Sequence, residues 1–514
     1  MTLDKIVSKN AVRYPSKLAV SMGEISYTWA TFETRVAKLA HAFQSGGLIA
    51  GDRLSVLADN CVEYLEIYFA ASRAGVIVVP VNFRLTNDDL SSILNHACPS
   101  LLIFSHNYAE SVRIIKDRVL SIKMFWQIGK SDESEFERYE EKLTKELIGV
   151  LDYKIDDNAC FAIFYTSGTT GLPKGAMVSH SNLEMNSYNQ IIADAASSED
   201  INLISSPLYH MGAVFMAVTY MMLGCSQYVL YKFSADEWLA SMASSKATVA
   251  LLIPTMINSI VTNQNLNENT LSDLRLIFYG GGPMPPTVLR KAIDFLKCDF
   301  TQGYGLTETL EATFLLASDH VLDGDATVLK RLGSAGREAI GAELKIINEN
   351  GKELMIGEVG EILIRSKSVI SGYWDMPEET SRVISDGWFH TGDLGYLDDD
   401  RYLFVVDRKK DMVISGGVNI YTREIESRLY QHQDIIEAAV VGLPDENWGE
   451  IVTAIVVARS GSKIDEAEVV DFCGETLASF KKPKKVIFRD ELPKNPSGKI
   501  LKRDIRLSLT NLNS

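Results

Sequence analysis

The sequence predicts an α/β protein: a large N-terminal domain of stacked α/β sheets, a β subdomain after it, and a small α+β C-terminal domain. Three observations lead there. The chain has 514 residues, 46% hydrophobic and 23% charged, enough apolar material for more than one buried core. Short β-branched runs alternate with longer amphipathic ones over the first hundred residues and again after residue 200. The texture then shifts near residue 330, and once more beyond Asp407.

Each element follows from its pattern. LSVLA, EYLEIYFAASRAG, VIVVPV, NDDLSSILNHA and SLLIF give strand, helix, strand, helix, strand, the βαβ signature of a mostly parallel sheet. SQYVLY, ADEWLASMASSK, ATVALLI and LRLIFYGGG repeat it. The uncharged stretch from Ile201 to Tyr231 is long enough to span a bilayer, but Pro207, Gly212 and Gly224 interrupt it. It is expected to be strand, turn, buried helix and strand beside a ligand pocket. ELKIINENGKEL and GEILIR give closely spaced strands, and DRKKD at 407–411 marks the passage to a smaller α/β region. The expected division is 1–407, a hinge at 408–411, and 412–514.

Composition narrows the function. A net charge of −16, from 51 basic and 67 acidic side chains, disfavours nucleic-acid binding. Cys61, Cys98, Cys160, Cys225, Cys298 and Cys473 are scattered and form no metal-type pair. The N-terminus lacks a secretory pattern, so a cytoplasmic protein without a transmembrane segment is expected. The lysines of FKKPKK at 480–485, and Lys502, are read as solvated surface charge, with weak membrane or CoA-phosphate contact open to the cluster.

The chemistry begins at FAIFYTSGTTGLPKGAMV, a strand running into Thr166, Ser167, Gly168, Thr169, Thr170, Gly171 and Lys174. Glycines allow backbone N–H groups to approach a polyanion, hydroxyls add donors, and the lysine adds positive charge for a leaving pyrophosphate. Pro173 and Gly175 around the lysine exclude the Walker A pattern. A second glycine run, Gly280, Gly281, Gly282 and Pro283, ends the strand LRLIFY, where open α/β sheets bind ligands; Gln302, Gly303, Tyr304, Gly305, Leu306, Thr307 and Glu308 follow. A single carboxylate such as Glu308 suffices for magnesium that shares phosphate and water. Asp393, in HTGD, suits a ribose diol.

YTSGTTGLPKG, QGYGLTE, the TGD string, DRKKD and PSGK occur in the order seen in the adenylate-forming superfamily, and the chain resembles its acyl-CoA synthetases (fatty-acid CoA ligase-like) along essentially its whole length. The resemblance implies ATP, Mg2+ and coenzyme A as cofactor and co-substrates, a mobile C-terminal lid, and a two-step reaction: carboxylic acid plus ATP gives acyl-adenylate and pyrophosphate, and CoA then gives acyl-CoA and AMP. It implies that Tyr304 packs on adenine, Thr307 contacts phosphate, Glu308 holds magnesium, Asp393 and Arg408 hold the ribose, and Lys410 is the hinge. It also implies that Gly416 and Gly417 line the pantetheine tunnel. Relatives often carry Glu at Val418 and Pro at Thr422, so this chain departs there. Lys499 matches the lysine essential for adenylation, able to bridge the carboxylate and the α-phosphate.

The acyl pocket in such relatives is built from the segments around SPLYHMGAVFM, the Gly280 run and the residues flanking Tyr304. It is uncharged in its first segment here, which implies a fatty or other hydrophobic monocarboxylic acid. His210 is placed at the pocket mouth to orient the carboxylate or gate CoA, with a packed core histidine as the alternative. Glu311 is an unusual charge near that pocket and points to the alternative of an aromatic or polar-substituted acid. Two further alternatives are delivery to a carrier protein and a catalytically silent nucleotide-binding protein. Intact Lys174, Glu308, Asp393, Arg408 and Lys499 argue against the last. The particular acid, the pathway and the oligomeric state are not legible.

Overall fold

A computed structural model describes residues 2–129, 135–145, 155–166, 173–265, 271–494 and 500–510. Among these, four sheets form. The largest orders its strands as Arg337–Glu338, Leu310–Leu315, Asp299–Leu306, Leu276–Tyr279, Val249–Leu252, Ile201–Ile204, Ser226–Val229, Leu18–Met22 and Ile25–Thr28. Its centre is parallel, from Leu18–Met22 across to Asp299–Leu306, and it turns antiparallel at both edges. A second sheet runs from Glu137–Arg138 through Met124–Ile128, Leu101–Ser105, Arg53–Leu57, Ile77–Pro80 and Cys160–Thr166 to Lys174–Ser179.

These two sheets share one core. Leu54, Val56 and Val78 of the second sheet belong to the same buried cluster as Ile204, Val249, Leu276 and Phe278 of the first, with helices Val62–Ala74 and Met211–Met222 contributing between them. Every residue of Ile77–Pro80 is buried, which explains why that strand reads as an unbroken apolar run and not as an alternation. The stretch from 201 to 231 folds as expected: strand Ile201–Ile204, a buried helix Met211–Met222, strand Ser226–Val229. Among the described residues no helix is long and apolar enough to cross a membrane.

The β subdomain pairs Ala342–Ile347, Gly360–Ser366, Trp388–Leu397 and Ile384–Ser385, with Leu403–Arg408 added against Trp388–Leu397. Arg408 is thus the last residue of that sheet. Residues 409–412 separate it from Val413–Ser415, the first strand of the C-terminal sheet. That sheet joins Val418–Ile420, Val413–Ser415, Gly449–Ala458 and Ile435–Asp445, with Lys485–Phe488 parallel to Gly449–Ala458.

One lysine departs from expectation. Lys502 is not a solvated surface charge: at the start of helix Lys502–Thr510 it pairs with the partly buried Glu426 at 2.7 Å and donates to Thr422 Oγ1 at 2.7 Å. A carboxylate drawn largely out of water needs such a partner, and the lysine stem reaches inward to supply it. In the 480–485 cluster, Lys481 pairs with Glu424 at 2.7 Å and Lys484 lies 3.4 Å from the centroid of the Trp448 ring.

Candidate active site

The site is built where strands of the first two sheets end against the β subdomain. Thr166 closes strand Cys160–Thr166 and Lys174 opens its antiparallel partner, and the two residues face each other in register. Ser167, Gly168, Thr169, Thr170 and Gly171, which connect them, lie outside the described residues, as does Lys499. Thr166 Oγ1 donates to Glu308 Oε1 at 3.3 Å, and Tyr373 Oη donates to the same oxygen at 3.0 Å. Lys174 Nζ is paired with Glu379 of helix Pro377–Val383 and lies 5.3 Å from the centroid of the Tyr373 ring. The neighbouring ammonium holds the Glu379 carboxyl below its ordinary range. Glu308, distant in sequence, therefore joins Thr166 and Lys174 in one cluster.

Glycine has a definite geometric reason at two positions. A Cβ on Gly280 would lie 2.8 Å from the Gly303 carbonyl oxygen, and one on Gly305 would lie 1.6 Å from the Leu310 carbonyl oxygen. Gly280 thus permits close approach of strand Leu276–Tyr279 to strand Asp299–Leu306. Gly281 and Pro283 are exposed beyond the strand end and Gly282 is half-buried, while Gln302 is half-buried on the neighbouring strand. Leu310 sits at a φ of 52° where the return strand Leu310–Leu315 begins, beside a register shift between Tyr304 and Gly305.

Tyr304 reaches across to the β subdomain, donating to Asp393 Oδ2 at 2.9 Å. Asp393 is buried, and Arg408 Nε lies 3.2 Å from its other oxygen. The two partners are joined by backbone as well, because Asp393 and Arg408 face each other in the Trp388–Leu397 and Leu403–Arg408 ladder. Thr307 lies in the turn after strand Asp299–Leu306, which Thr309 stabilises by accepting from the Leu306 N–H at 2.9 Å. Lys410 is exposed in the segment between sheets. Gly416 and Gly417, at φ of 58° and 78°, make the two-residue turn of a hairpin between Val413–Ser415 and Val418–Ile420, where a pair of positive φ angles matches strand twist. The Gly416 N–H donates to the Trp448 carbonyl at 2.8 Å, which lays that indole over the turn.

His210 immediately precedes helix Met211–Met222, its ring 4.4 Å from that of Tyr209. Burial, reinforced by the positive charge of Arg84, pushes its pKa down to about 4, so it is a neutral imidazole at neutral pH. Its Nε2 is buried without a hydrogen-bond partner among the described residues. Three residues near this cleft escaped the motifs: Tyr373 and Glu379, in the SGYWDMPEET stretch, and Asn186 on helix His180–Ala193, whose Oδ1 accepts from the Glu311 N–H at 2.9 Å. The only signal for the first pair was an aromatic and acidic segment shortly before the TGD string.

Among the described residues no group of three or more His, Cys, Asp or Glu side chains could hold a metal by itself. Glu308, one carboxylate bracketed by two hydroxyls, fits a magnesium ion whose remaining ligands are phosphate oxygens and water.

The AMP-binding enzyme family model matches residues 7–374, and that of the AMP-binding enzyme C-terminal domain matches 424–499. The chain is 36% identical over 494 residues to a feruloyl-CoA synthase of Amycolatopsis sp, covering 96% of each. It is 34% identical over 516 residues to a fatty acid–[acyl-carrier-protein] ligase, ScoC, of Streptomyces coeruleorubidus, covering 98% of this chain and 96% of the relative. The crystal structure of ATP-bound MatB from Rhodopseudomonas palustris superposes with a TM-score of 0.90 at 30% identity, each chain covered completely.

Proposed function

Because the chain belongs to the AMP-binding enzyme family, as an AMP-forming acid–CoA ligase of the adenylate-forming superfamily, we propose that it activates a hydrophobic monocarboxylic acid, fatty or otherwise, in the cleft around Tyr304. The observation that carries this reading is the junction of Tyr304, Asp393 and Arg408, an aromatic ring, a buried carboxylate and a guanidinium joined just before the turn that carries Glu308, whose carboxylate meets Thr166. Asp393 accepts hydrogen bonds from the ribose hydroxyls, and Arg408, beside its other oxygen, holds it in orientation. Lys174 leaves Glu379 to follow the pyrophosphate charge. Magnesium, where bound, neutralises phosphate oxygens beside Glu308.

Lys499, carried in by the C-terminal domain, bridges the acid carboxylate and the α-phosphate, so that two anions meet without mutual repulsion. The domain then turns about residues 408–411 and presents Gly416 and Gly417 to the pantetheine arm. Neutral His210 orients the acid by a hydrogen bond, because it carries no charge to attract one. The apolar acid is supported by helix Met211–Met222, which is almost wholly buried and uncharged, and by Phe215 and Phe278, whose rings meet edge to face at 5.7 Å. We place the reaction in the cytoplasm, with free CoA as acceptor.

A carrier-protein acceptor is the second reading, favoured by the likeness to a fatty acid–[acyl-carrier-protein] ligase. One assay decides both. A panel of fatty and aromatic acids is incubated with ATP, Mg2+ and either CoA or a phosphopantetheinylated carrier, and AMP and thioester are measured. Acid-dependent AMP with acyl-CoA supports the proposal. Pyrophosphate release with thioester on the carrier alone overturns the CoA half, and no AMP with any acid overturns the whole.

A further inference from the structure

Successive side chains of a strand point to opposite faces, so the face of Asp299–Leu306 opposite Tyr304 is bare at Gly303. The space above that glycine is taken by two groups: a Cβ there would lie 2.5 Å from both Glu311 Oε2 and the edge of Phe278. Phe278 is flanked by Phe215 at 5.7 Å and Phe314 at 6.5 Å between ring centroids. The Glu311 carboxyl therefore stands in an aromatic wall.

It stands there incompletely satisfied. Glu311 Oε2 is buried and has no hydrogen-bond partner among the described residues, and the same holds for Asn186 Nδ2. Asn186 is itself 0% exposed, and its orientation is set because its Oδ1 accepts from the Glu311 backbone N–H. Two polar atoms are thus left over on residues already joined by a hydrogen bond, one on the Glu311 carboxyl and one on the Asn186 carboxamide. The charged group that acts on Glu311 is Asp194, which repels it, and burial holds the carboxyl pKa up to about 8. If filling the space above Gly303 were its whole purpose, leucine or methionine would do so without burying an unmet polar atom.

We propose that Glu311 and Asn186 form a polar subsite of the acyl pocket that takes a hydroxyl group on an otherwise apolar acid, the hydroxyl donating to the Glu311 carboxyl and accepting from the Asn186 carboxamide. This rests on the acid–CoA ligase reading and gives its substrate class. One hydroxyl answers both leftover atoms, whereas an unsubstituted chain would leave both unmet. A site built in this way discriminates against the analogue that lacks the polar group far more strongly than a greasy pocket discriminates by size.

The test compares kcat/KM, by CoA-dependent AMP formation, for matched acids: para-hydroxyphenylpropanoate against phenylpropanoate, and omega-hydroxydodecanoate against dodecanoate, with omega-aminododecanoate as a third arm. The wild-type enzyme is expected to favour the hydroxylated member of at least one pair by on the order of tenfold to a hundredfold. In E311L that ratio falls to about one, mainly through loss on the hydroxylated acid, while the isosteric E311Q retains part of it; thermal melts establish that both are folded. Equal use of both members in both pairs, preference for the unsubstituted acid, preference for the amine, or an unchanged ratio in E311L overturns the subsite. Activity on plain acids in any of those cases leaves the ligase reading standing. No AMP from any acid defeats that reading, and the subsite with it.

Discussion

Replacing Glu311 by glutamine should stabilise the protein, and by an amount that grows with pH. The carboxyl has an ordinary value of 4.5 and is pushed up to about 8, chiefly by burial. Below about pH 4.5 the group is protonated whether the chain is folded or not, so it adds no pH dependence. As pH rises from there toward about 8, the unfolded chain gives up the proton and the folded one keeps it, and wild-type stability is progressively lost. At about 1.4 kcal/mol per unit, the loss is under about 1 kcal/mol near pH 5, about 3 kcal/mol near pH 7, and at most about 5 kcal/mol above pH 8. Glutamine keeps the shape and cannot ionise. Any fixed cost of the buried amide shifts the comparison equally at every pH, so the slope isolates the titration. Asp194, raised to about 7 chiefly by burial, contributes its own slope, which both proteins share. The assay is scanning calorimetry of both proteins at fixed scan rate from about pH 5 to about pH 8, and the expected result is a Tm advantage for E311Q that widens with pH. A difference that stays flat, or narrows, would refute the burial of an unpaired carboxyl at residue 311.

Three other substitutions probe the nucleotide side. D393A removes the acceptor shared by Tyr304 and Arg408 and is expected to lower kcat/KM for ATP by on the order of thirtyfold or more, with little effect on the acid's KM, as read in pyrophosphate exchange. E379Q releases Lys174 from its carboxylate partner, so the KM for ATP should fall severalfold at low salt and the gain should fade as salt is added; an unchanged KM would mean the pair does not compete with phosphate. K499A should abolish adenylation yet largely spare thioester formation from preformed adenylate, and equal loss of both steps would contradict the division of labour.

The strings that carry chemistry were legible because each sits on a compact supersecondary unit. Thr166 and Lys174 lie at the two open ends of one antiparallel pair, and Asp393 and Arg408 face each other in another, so short-range sequence already held them together. The alternating pattern of buried strands and amphipathic helices was legible for the same reason. Tyr373 and Glu379 were not: the latter meets Lys174 across 205 positions of chain, and nothing local distinguishes a carboxylate that will meet a phosphate-loop cation from one that faces water. Lys502 misled because a lysine in a charged helix looks solvated until Glu426, brought in from helix Thr422–Leu429, claims it. Asn186 carries no signal at all in sequence, since its burial depends on which face of its helix packs against strand Leu310–Leu315. Long-range pairing, more than local propensity, was the missing information.

Tyr304 and Gly303 are consecutive residues of one strand, the first reaching for Asp393 and the second supporting the carboxyl of Glu311 from behind. The hairpin that joins them to Glu311 has no slack at Gly305, where even a methyl group would overlap the Leu310 carbonyl. A protein engineer who reshapes this wall to admit a different acid is therefore expected to move the Tyr304 phenol ring as well. Selectivity for the acid and grip on ATP are expected to drift together in any evolved library, and variants should be screened for both at once.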